Sequence, residues 1–178
     1  VYARYSDTLG NWSSVVSDEI LVDEEVPTGS IAIVSNSETY TKTPVVSLRL
    51  TCTDNVSGCS QVCISNTSSC TAPAGWEPFA EQRTMWPLSI GDGTKTIYAW
   101  FRDKAGNQTA SGSPYSDTIT LDTWAPAASV SITGTAAGFT NTTAVSLTLT
   151  CDDGSGSGCG NVLISNSVIH GGEPAMAF

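Results

Sequence analysis

Six cysteines carry the clearest chemistry in this sequence, and two kinds of site can be built from them. They can pair as disulfides, which form and persist in oxidising compartments. They can also supply thiolates to zinc, which takes four ligands in a structural site. Four stand close together in the pattern C-x6-C-x3-C-x6-C and two follow further along the chain: Cys52, Cys59, Cys63, Cys70, Cys151 and Cys159.

Aspartates in short glycine-containing segments suggest a second chemistry, the binding of Ca²⁺ through six to eight oxygen ligands. We favour a simpler role, in which each aspartate caps a tight turn and a Gly-Asn pair adopts positive φ. The segments are "DTLGN", "DNVSG", "DKAGN" and "DDGSGSG", and the candidate ligands in them are Asp7, Asp54, Asp103, Asp152 and Asp153.

The acidic segment "DEEVP" is a separate candidate for Ca²⁺ between domains, through Asp23, Glu24 and Glu25. Its counterpart "DTWAP" keeps only Asp122. A site shared by both segments is therefore not expected, and no cofactor is predicted beyond this candidate Ca²⁺.

Catalysis is not predicted for this chain. The only histidine, His170, stands beside glycines, so a Ser-His-Asp or Cys-His arrangement has no evident base. Asp152 and Asp153 are adjacent and would point to opposite sides of a strand, whereas a catalytic carboxyl pair must face one gap.

The elements that position these residues are predicted to be β-strands, because β-branched residues stand in short runs between turn residues. Of 178 residues only 13% are charged, and the net charge is −10. Such a chain lacks the clustered Lys and Arg that bind nucleic acid or an anionic membrane surface. No apolar run approaches the roughly 20 residues of a membrane span.

An internal repeat organises the chain. "VYARYSDTLGN" at the start corresponds to "IYAWFRDKAGN" at residues 97–107, and "VVSLRLTCTDNVSGC" at 45–59 corresponds to "AVSLTLTCDDGSGSGC" at 144–159. A period this long fits whole domains in tandem better than a solenoid. We expect a complete unit over residues 26–125, the last two strands of a preceding unit over 1–25, and the first half of a following unit over 126–178.

The repeat also favours one disulfide pairing. Cys52 and Cys59 align with the last two cysteines, whereas Leu163 replaces Cys63 in the second copy and Cys70 falls near His170. The two missing cysteines are lost together, as a bonded pair would be, and a second zinc site would have only two thiolates. The predicted pairs are Cys52–Cys59, Cys63–Cys70 and Cys151–Cys159.

Alternation assigns faces to the strands of the complete unit. One predicted core face consists of Val46, Leu48, Leu50 and Cys52, and another of Ile97, Ala99 and Phe101. Strands are predicted at residues 30–35, 45–53, 59–66, 77–82, 84–90, 94–103 and 115–122, with Pro87 marking a sheet edge. Tyr98 and Trp100 fall opposite the core face of their strand, where exposed rings could stack on a glycan or another domain. Seven short alternating strands in a unit of this length predict an immunoglobulin-like sandwich.

The run "GDGTKTIYAWFRDKAGNQT", followed by "YSDTITLDTWAP" and taken together with "LTCTDNVSGC" earlier in the same unit, resembles the tandem Ig-like or fibronectin-III-like repeats of bacterial secreted and cell-surface proteins. The resemblance covers nearly the whole chain. It implies an all-β fold of tandem sandwiches and an extracellular or cell-surface location, and it carries no catalytic residues, because fold alone does not give function.

Two functions follow as hypotheses. The first is a non-catalytic structural module of a stalk, array or filament, whose partners are neighbouring Ig-like repeats or copies of itself. The alternative is an adhesin or a carbohydrate-binding accessory module. The partial units at residues 1–25 and 126–178 each expose a sheet edge. They could join head-to-tail between chains by strand complementation, or be an excerpt of a longer covalent array.

Overall fold

The computed structural model describes residues 1–35, 39–71, 75–134, 138–166 and 176–177. Every regular element in these ranges is a β-strand, which confirms the all-β prediction, and no helix there could cross a membrane. The strands are β1 (Tyr2–Ala3), β2 (Val16–Ser17), β3 (Thr28–Val34), β4 (Tyr40–Thr41), β5 (Val45–Thr53), β6 (Cys59–Ser65), β7 (Glu77–Pro78), β8 (Gln82–Pro87), β9 (Gly93–Asp103), β10 (Tyr115–Leu121), β11 (Ala127–Thr133), β12 (Ser146–Asp152), β13 (Asn161–Val162) and β14 (Met176–Ala177).

Two sheets made from residues 26–125 enclose the main hydrophobic core. One has the strand order β3-β5-β8 and the other the order β4-β10-β9-β6-β7. The two inner faces interdigitate, an arrangement consistent with a β-sandwich. The buried apolar residues are Ile31, Val46, Leu48, Leu50, Val62, Ile64, Leu88, Ile97, Ala99, Phe101, Ile119 and Leu121.

The predicted alternation accounts for most of this core. Val46, Leu48 and Leu50 of β5 are buried on one face as expected, with Arg49 exposed between them. In β9 the expected core residues are also buried, but the intervening Trp100 is buried as well. The second face of β9 is therefore covered, contrary to the sequence-based expectation.

Strand β8 lies at a sheet edge, as Pro87 predicts, because it pairs with β5 alone. A bulge interrupts this pairing between Val46 and Leu48, and Met85 within the bulged part of β8 has a φ of 60°. Such bulges insert an unpaired residue and bend the strand.

The strand pairs outside the core repeat the pairing registers of the strands that form it. Tyr2 faces Ser17 in the β1–β2 pair as Tyr98 faces Ser116 in the β9–β10 pair. In the β11–β12 pair, Val130 faces Leu149 as Ile31 faces Leu50 in the β3–β5 pair. Similarity of sequence is thus accompanied by identical backbone pairing.

Candidate functional site

Three aspartates from separate segments meet at one end of the sandwich. Asp23 precedes β3, Asp54 follows β5, and Asp103 is the last residue of β9. Each offers a carboxylate oxygen, and these oxygens lie within 4.8 Å of one another. We call this group the joint cluster.

Asp103 is the buried member of the joint cluster, with only 2% of its surface exposed. Its Oδ1 accepts hydrogen bonds from the backbone N–H groups of Gly106 (2.6 Å) and Asn107 (2.8 Å). Its Oδ2 accepts one from Asn107 Nδ2 at 2.8 Å. Gly106 supplies the positive φ, at 100°, that the turn after β9 requires. The aspartate therefore organises this turn, as the sequence favours.

Asp54 organises the loop after β5 in the same way, because its Oδ1 accepts hydrogen bonds from the N–H groups of Val56 (3.2 Å) and Gly58 (2.6 Å). Asp23 ties the incoming chain to this loop, since its Oδ2 accepts from the Ser57 N–H at 3.0 Å. The backbone carbonyl of Asp23 accepts in turn from Asn107 Nδ2 at 3.0 Å. One short segment is thereby fixed to two loops of the sandwich.

Hydrogen bonds from this loop and from the following backbone also explain why the pKa of Asp23 is lowered. A hydrogen bond from the Ser57 side chain, followed by smaller contributions from the backbone of Glu25 and Ser57, lowers the pKa of Asp23 below its usual value of 3.8, against an opposing effect of burial. Asp23 therefore remains ionised to lower pH in the folded chain than in the unfolded chain. Glu24 and Glu25, the other acidic residues of "DEEVP", are exposed.

Chemically, the joint cluster offers oxygen ligands of the kind that Ca²⁺ takes. Asp23, Asp54 and Asp103 are the described residues that could hold such a cation. Most of their oxygens already accept hydrogen bonds from the turns that they organise. The hydrogen bonds of the joint cluster thus hold these turns in place. Ca²⁺ binding remains a prediction.

Part of the joint cluster recurs at the second Pro-containing segment. Asp122 Oδ2 accepts from the Ser157 N–H at 2.7 Å, as Asp23 does from Ser57. Asp153 Oδ2 accepts from the Gly158 N–H at 2.6 Å, as Asp54 does from Gly58. Backbone and then side-chain hydrogen bonds from Ser157 lower the pKa of Asp122. Asp122 is therefore the counterpart of Asp23 in contact as well as in sequence.

The remaining acidic candidates also serve turns. Asp7 Oδ1 accepts from the N–H groups of Leu9 (2.9 Å) and Asn11 (2.8 Å), and the Asn11 side chain contributes most to lowering the pKa of Asp7. Asp152 Oδ1 accepts from the Gly154 N–H at 2.8 Å. One detail of the turn prediction is wrong: the glycine of each Gly-Asn pair has positive φ, but the asparagine does not, because its backbone and side chain donate to the aspartate instead.

All six cysteines are bonded, in the three pairs that the repeat predicts. Cys52–Cys59 and Cys151–Cys159 close the loops that hold Asp54 and Asp153. Cys63–Cys70 closes a loop beside β6. Three disulfides in a chain of this size are typical of proteins in an oxidising compartment.

The predicted sugar-binding aromatics are not an exposed platform. Trp100 is 1% exposed, because it faces the fully buried Cys63 across the β6–β9 pair and donates from Nε1 to the Ser111 carbonyl at 3.3 Å. Tyr98 is half-buried, with its ring 6.3 Å from that of Trp100. The expectation that Trp100 is exposed is therefore wrong. The cause is a cover formed by the Cys63–Cys70 loop and the chain after β9, which strand alternation does not reveal.

No protein-family model matches the chain, and no curated protein matches it significantly. The single histidine, His170, which the sequence analysis considered as a catalytic base, lies outside the described residues.

Sequence reasoning missed the assembly of the joint cluster. It proposed Asp54 and Asp103 separately and discounted Asp23 because Glu24 and Glu25 have no counterparts in "DTWAP". The available signal was narrower: an aspartate precedes each proline segment, and a second aspartate follows each cysteine-containing strand. These two positions are the ones that the structure brings together.

Proposed function

We propose that the chain is a non-catalytic structural module made of tandem immunoglobulin-like units, with one complete unit at residues 26–125 between parts of two others at 1–25 and 126–178. The module belongs to an extracellular or cell-surface stalk, array or filament. The observation that carries this proposal is the recurrence of identical strand registers at both ends of the chain, in β1–β2 and in β11–β12.

The polar contacts between units support the same conclusion. Asp23 and Asp122 each precede the first long strand of a unit, and each accepts a hydrogen bond from the loop closed by the first disulfide of that unit. A repeated contact at each connection gives successive units the same local attachment. That property suits an array whose task is to hold a fixed spacing.

The three disulfides support the location. In the chain-entropy model, a disulfide that closes a short loop stabilises the folded chain by about 2–3 kcal/mol. Such bonds persist outside the cell, in oxidising surroundings. The adhesin or carbohydrate-binding alternative gains no support from Trp100, because that ring is buried.

The test is to complete the third unit. A second copy of residues 80–125 is appended after Phe178, because Ala177 pairs with Asn161 as Pro78 pairs with Gln61. Ala128 is replaced by glycine to match Gly29. We expect a second protease-resistant unit that begins near residue 126. In a control, only the appended copy carries Ile97→Glu and Phe101→Glu, and the extended third unit should then stay protease-sensitive. If the intact extension is digested as fast as this control, the tandem-unit proposal is wrong.

A further inference from the structure

A pocket of about 430 Å³ lies beside β9, where the Cys63–Cys70 loop meets the chain that follows β9. We call it the Arg102 pocket. Its volume falls within the range of pockets that hold small molecules. Two tryptophans, one arginine, one glutamine and several hydroxyl-bearing residues line it, among them Trp76, Trp100, Arg102, Gln108, Ser68 and Ser111.

The guanidinium of Arg102 is held in one orientation. Its central carbon lies 4.1 Å from the centroid of the Trp76 ring, a cation–π contact. Its Nε and Nη2 donate to Gln108 Oε1 at 3.3 and 2.7 Å, and its Nη1 donates to Gln61 Oε1 at 3.3 Å. The turn organised by Asp103 brings Gln108 back to form a β-bridge with Arg102. The guanidinium is therefore positioned before any ligand arrives.

The positive charge of Arg102 is not compensated by a neighbour. Both of its acceptors are neutral amides, and within the described ranges Arg102 forms no ion pair, unlike Arg83. Residues 72–74, which follow the Cys63–Cys70 loop, are Ala, Pro and Ala and carry no ionisable side chain. A guanidinium has five N–H groups, and the contacts to the two glutamines use three of them. The remaining N–H groups can bind a carboxylate, which arginine takes through paired hydrogen bonds.

The other groups of the Arg102 pocket suit a sugar ring, which presents both C–H and O–H groups. Trp76 is half-buried and supplies an apolar ring with a polar N–H. Hydroxyl groups come from Ser68, Ser69, Thr71 and Ser111. These hydroxyl groups can donate and accept hydrogen bonds with a sugar.

One unpaired guanidinium matches one negative charge. A phosphate monoester carries about −1.5 to −2 and would be repelled more strongly by a chain of net charge −10. We propose that the Arg102 pocket binds a carboxylate-bearing sugar unit, of the uronic-acid or sialic-acid type, with its carboxylate on Arg102.

This inference goes beyond the proposed structural role and does not depend on it. Every residue that lines the Arg102 pocket belongs to the sandwich of residues 26–125. The stacking ring is Trp76 and not the buried Trp100. Alternation could not indicate Trp76, because it directly precedes the two-residue strand β7.

NMR titration of the ¹⁵N-labelled, oxidised chain tests the proposal. The probes are the methyl glycosides of galacturonic acid, glucuronic acid and N-acetylneuraminic acid. We expect at least one of them to shift the Arg102 Nε–H and Trp76 Nε1–H signals with a dissociation constant of about 1 mM. The methyl ester of the same glycoside, which lacks the charge, should bind at least about 10-fold more weakly. Acetate and N-acetylglycine, which present a carboxylate without a sugar, should also bind at least about 10-fold more weakly.

A variant that keeps the shape of the Arg102 pocket separates binding from folding. Gln108→Glu is nearly isosteric and gives Arg102 an internal carboxylate in place of the amide oxygen now 2.7 Å away. It should weaken binding at least about 10-fold without lowering the melting temperature, because the new ion pair replaces a hydrogen bond. The matched control is Gln82→Glu, the same charge change at an exposed position of the other sheet, which should leave affinity within about twofold.

A second pair of variants tests the fork of N–H groups. Arg102→Lys keeps the charge but loses the paired donors, and it should weaken binding about 10-fold. Arg49→Lys on the exposed face of β5 should have no effect.

Four outcomes would overturn the proposal. The first is that none of the three glycosides shifts the Arg102 and Trp76 signals at about 50 mM. The second is equal binding of a glycoside and its methyl ester. The third is equal binding of acetate or N-acetylglycine, which would indicate a site for any carboxylate or for a peptide terminus. The fourth is an equal loss of affinity in both members of a variant pair. None of these outcomes bears on the extended-chain test, so the proposed function can fail or stand separately.

Discussion

Replacing Gly29 with alanine tests how tightly the two sheets of the sandwich are packed. A Cβ at this position of β3 would lie 2.5 Å from Phe101 Cε2 and 2.5 Å from the backbone oxygen of Thr51. The ring cannot move away easily, because Phe101 is fully buried between the rings of Phe79 and Tyr115 at centroid distances of 6.0 and 5.6 Å. The Thr51 oxygen belongs to the β3–β5 pair, so relief would require that strand to shift.

The magnitude follows from two opposing effects. Overpacking a core costs typically about 1–3 kcal/mol, and a clash with backbone places this case at the upper end. Alanine also restricts the unfolded chain, which returns about 0.4–1 kcal/mol where the backbone conformation is compatible. We expect a net loss of about 2 kcal/mol in the free energy of unfolding, equivalent to a fall of roughly 10 °C in the melting temperature of a unit of this size.

The assay is urea unfolding followed by tryptophan fluorescence, to which the buried Trp100 contributes, with Gly112→Ala as the control. A Cβ at Gly112 would meet nothing within 4 Å, so that variant should stay within about 0.5 kcal/mol of the parent. Phe101→Leu in the Gly29→Ala background should cost less than Phe101→Leu alone, because the smaller side chain relieves the clash. A Gly29→Ala chain that unfolds at the parent midpoint would refute the packing argument.

Three further predictions concern the disulfides and the aspartates. Replacing Cys63 and Cys70 with serine should lower the stability of the sandwich formed by residues 26–125 by about 2–3 kcal/mol and shift the tryptophan emission of the chain to the red, whereas the same change at the Cys151–Cys159 pair should do neither. Because the pKa of Asp23 is lower in the folded chain, its contribution to stability is present above its unfolded pKa of about 3.8 and is lost as pH falls through the folded-state pKa. The urea midpoint of the Asp23→Asn variant should therefore depend less on pH in the acid range than that of the parent. An equal pH dependence in the two chains would contradict this. Gly156→Ala, but not Gly160→Ala, should speed hydrogen exchange of the Ser157 amide, because a Cβ at Gly156 would lie 2.7 Å from the Asp122 oxygen that accepts from it.

Strand positions were predictable where side chains alternate on a half-buried strand. The prediction for β5 agrees with the structure at both ends, and β9 and β10 differ from theirs by one residue. Strand β4 was missed, because two residues are too few to show a pattern and its partner β10 is distant in sequence. Burial of Trp100 was missed for a related reason: a disulfide loop covers it, and alternation describes only the strand itself.

The disulfide pairing was predictable because the repeat shows which cysteines are lost together. The joint cluster was predictable only in part. Tight turns at Asp7 and Asp103 follow from local sequence, since the aspartate and the groups it binds lie within four residues. The approach of Asp23 to Asp54 and Asp103 depends on how three loops meet at one end of the sandwich, and no single stretch of sequence records it.

The pairing of β4 with β10 has a mechanical consequence. The two strands are parallel, with Thr120 N–H donating to the Thr39 carbonyl and Asp122 N–H donating to the Thr41 carbonyl, both at 2.9 Å. Strand β4 follows β3, the first strand of the sandwich, and β10 is its last strand. When the two ends are pulled apart, parallel strands slide past each other, so these hydrogen bonds bear the load together instead of opening one at a time as in a hairpin. Once tension reaches β4, this pairing should therefore yield abruptly at a threshold force and not lengthen gradually.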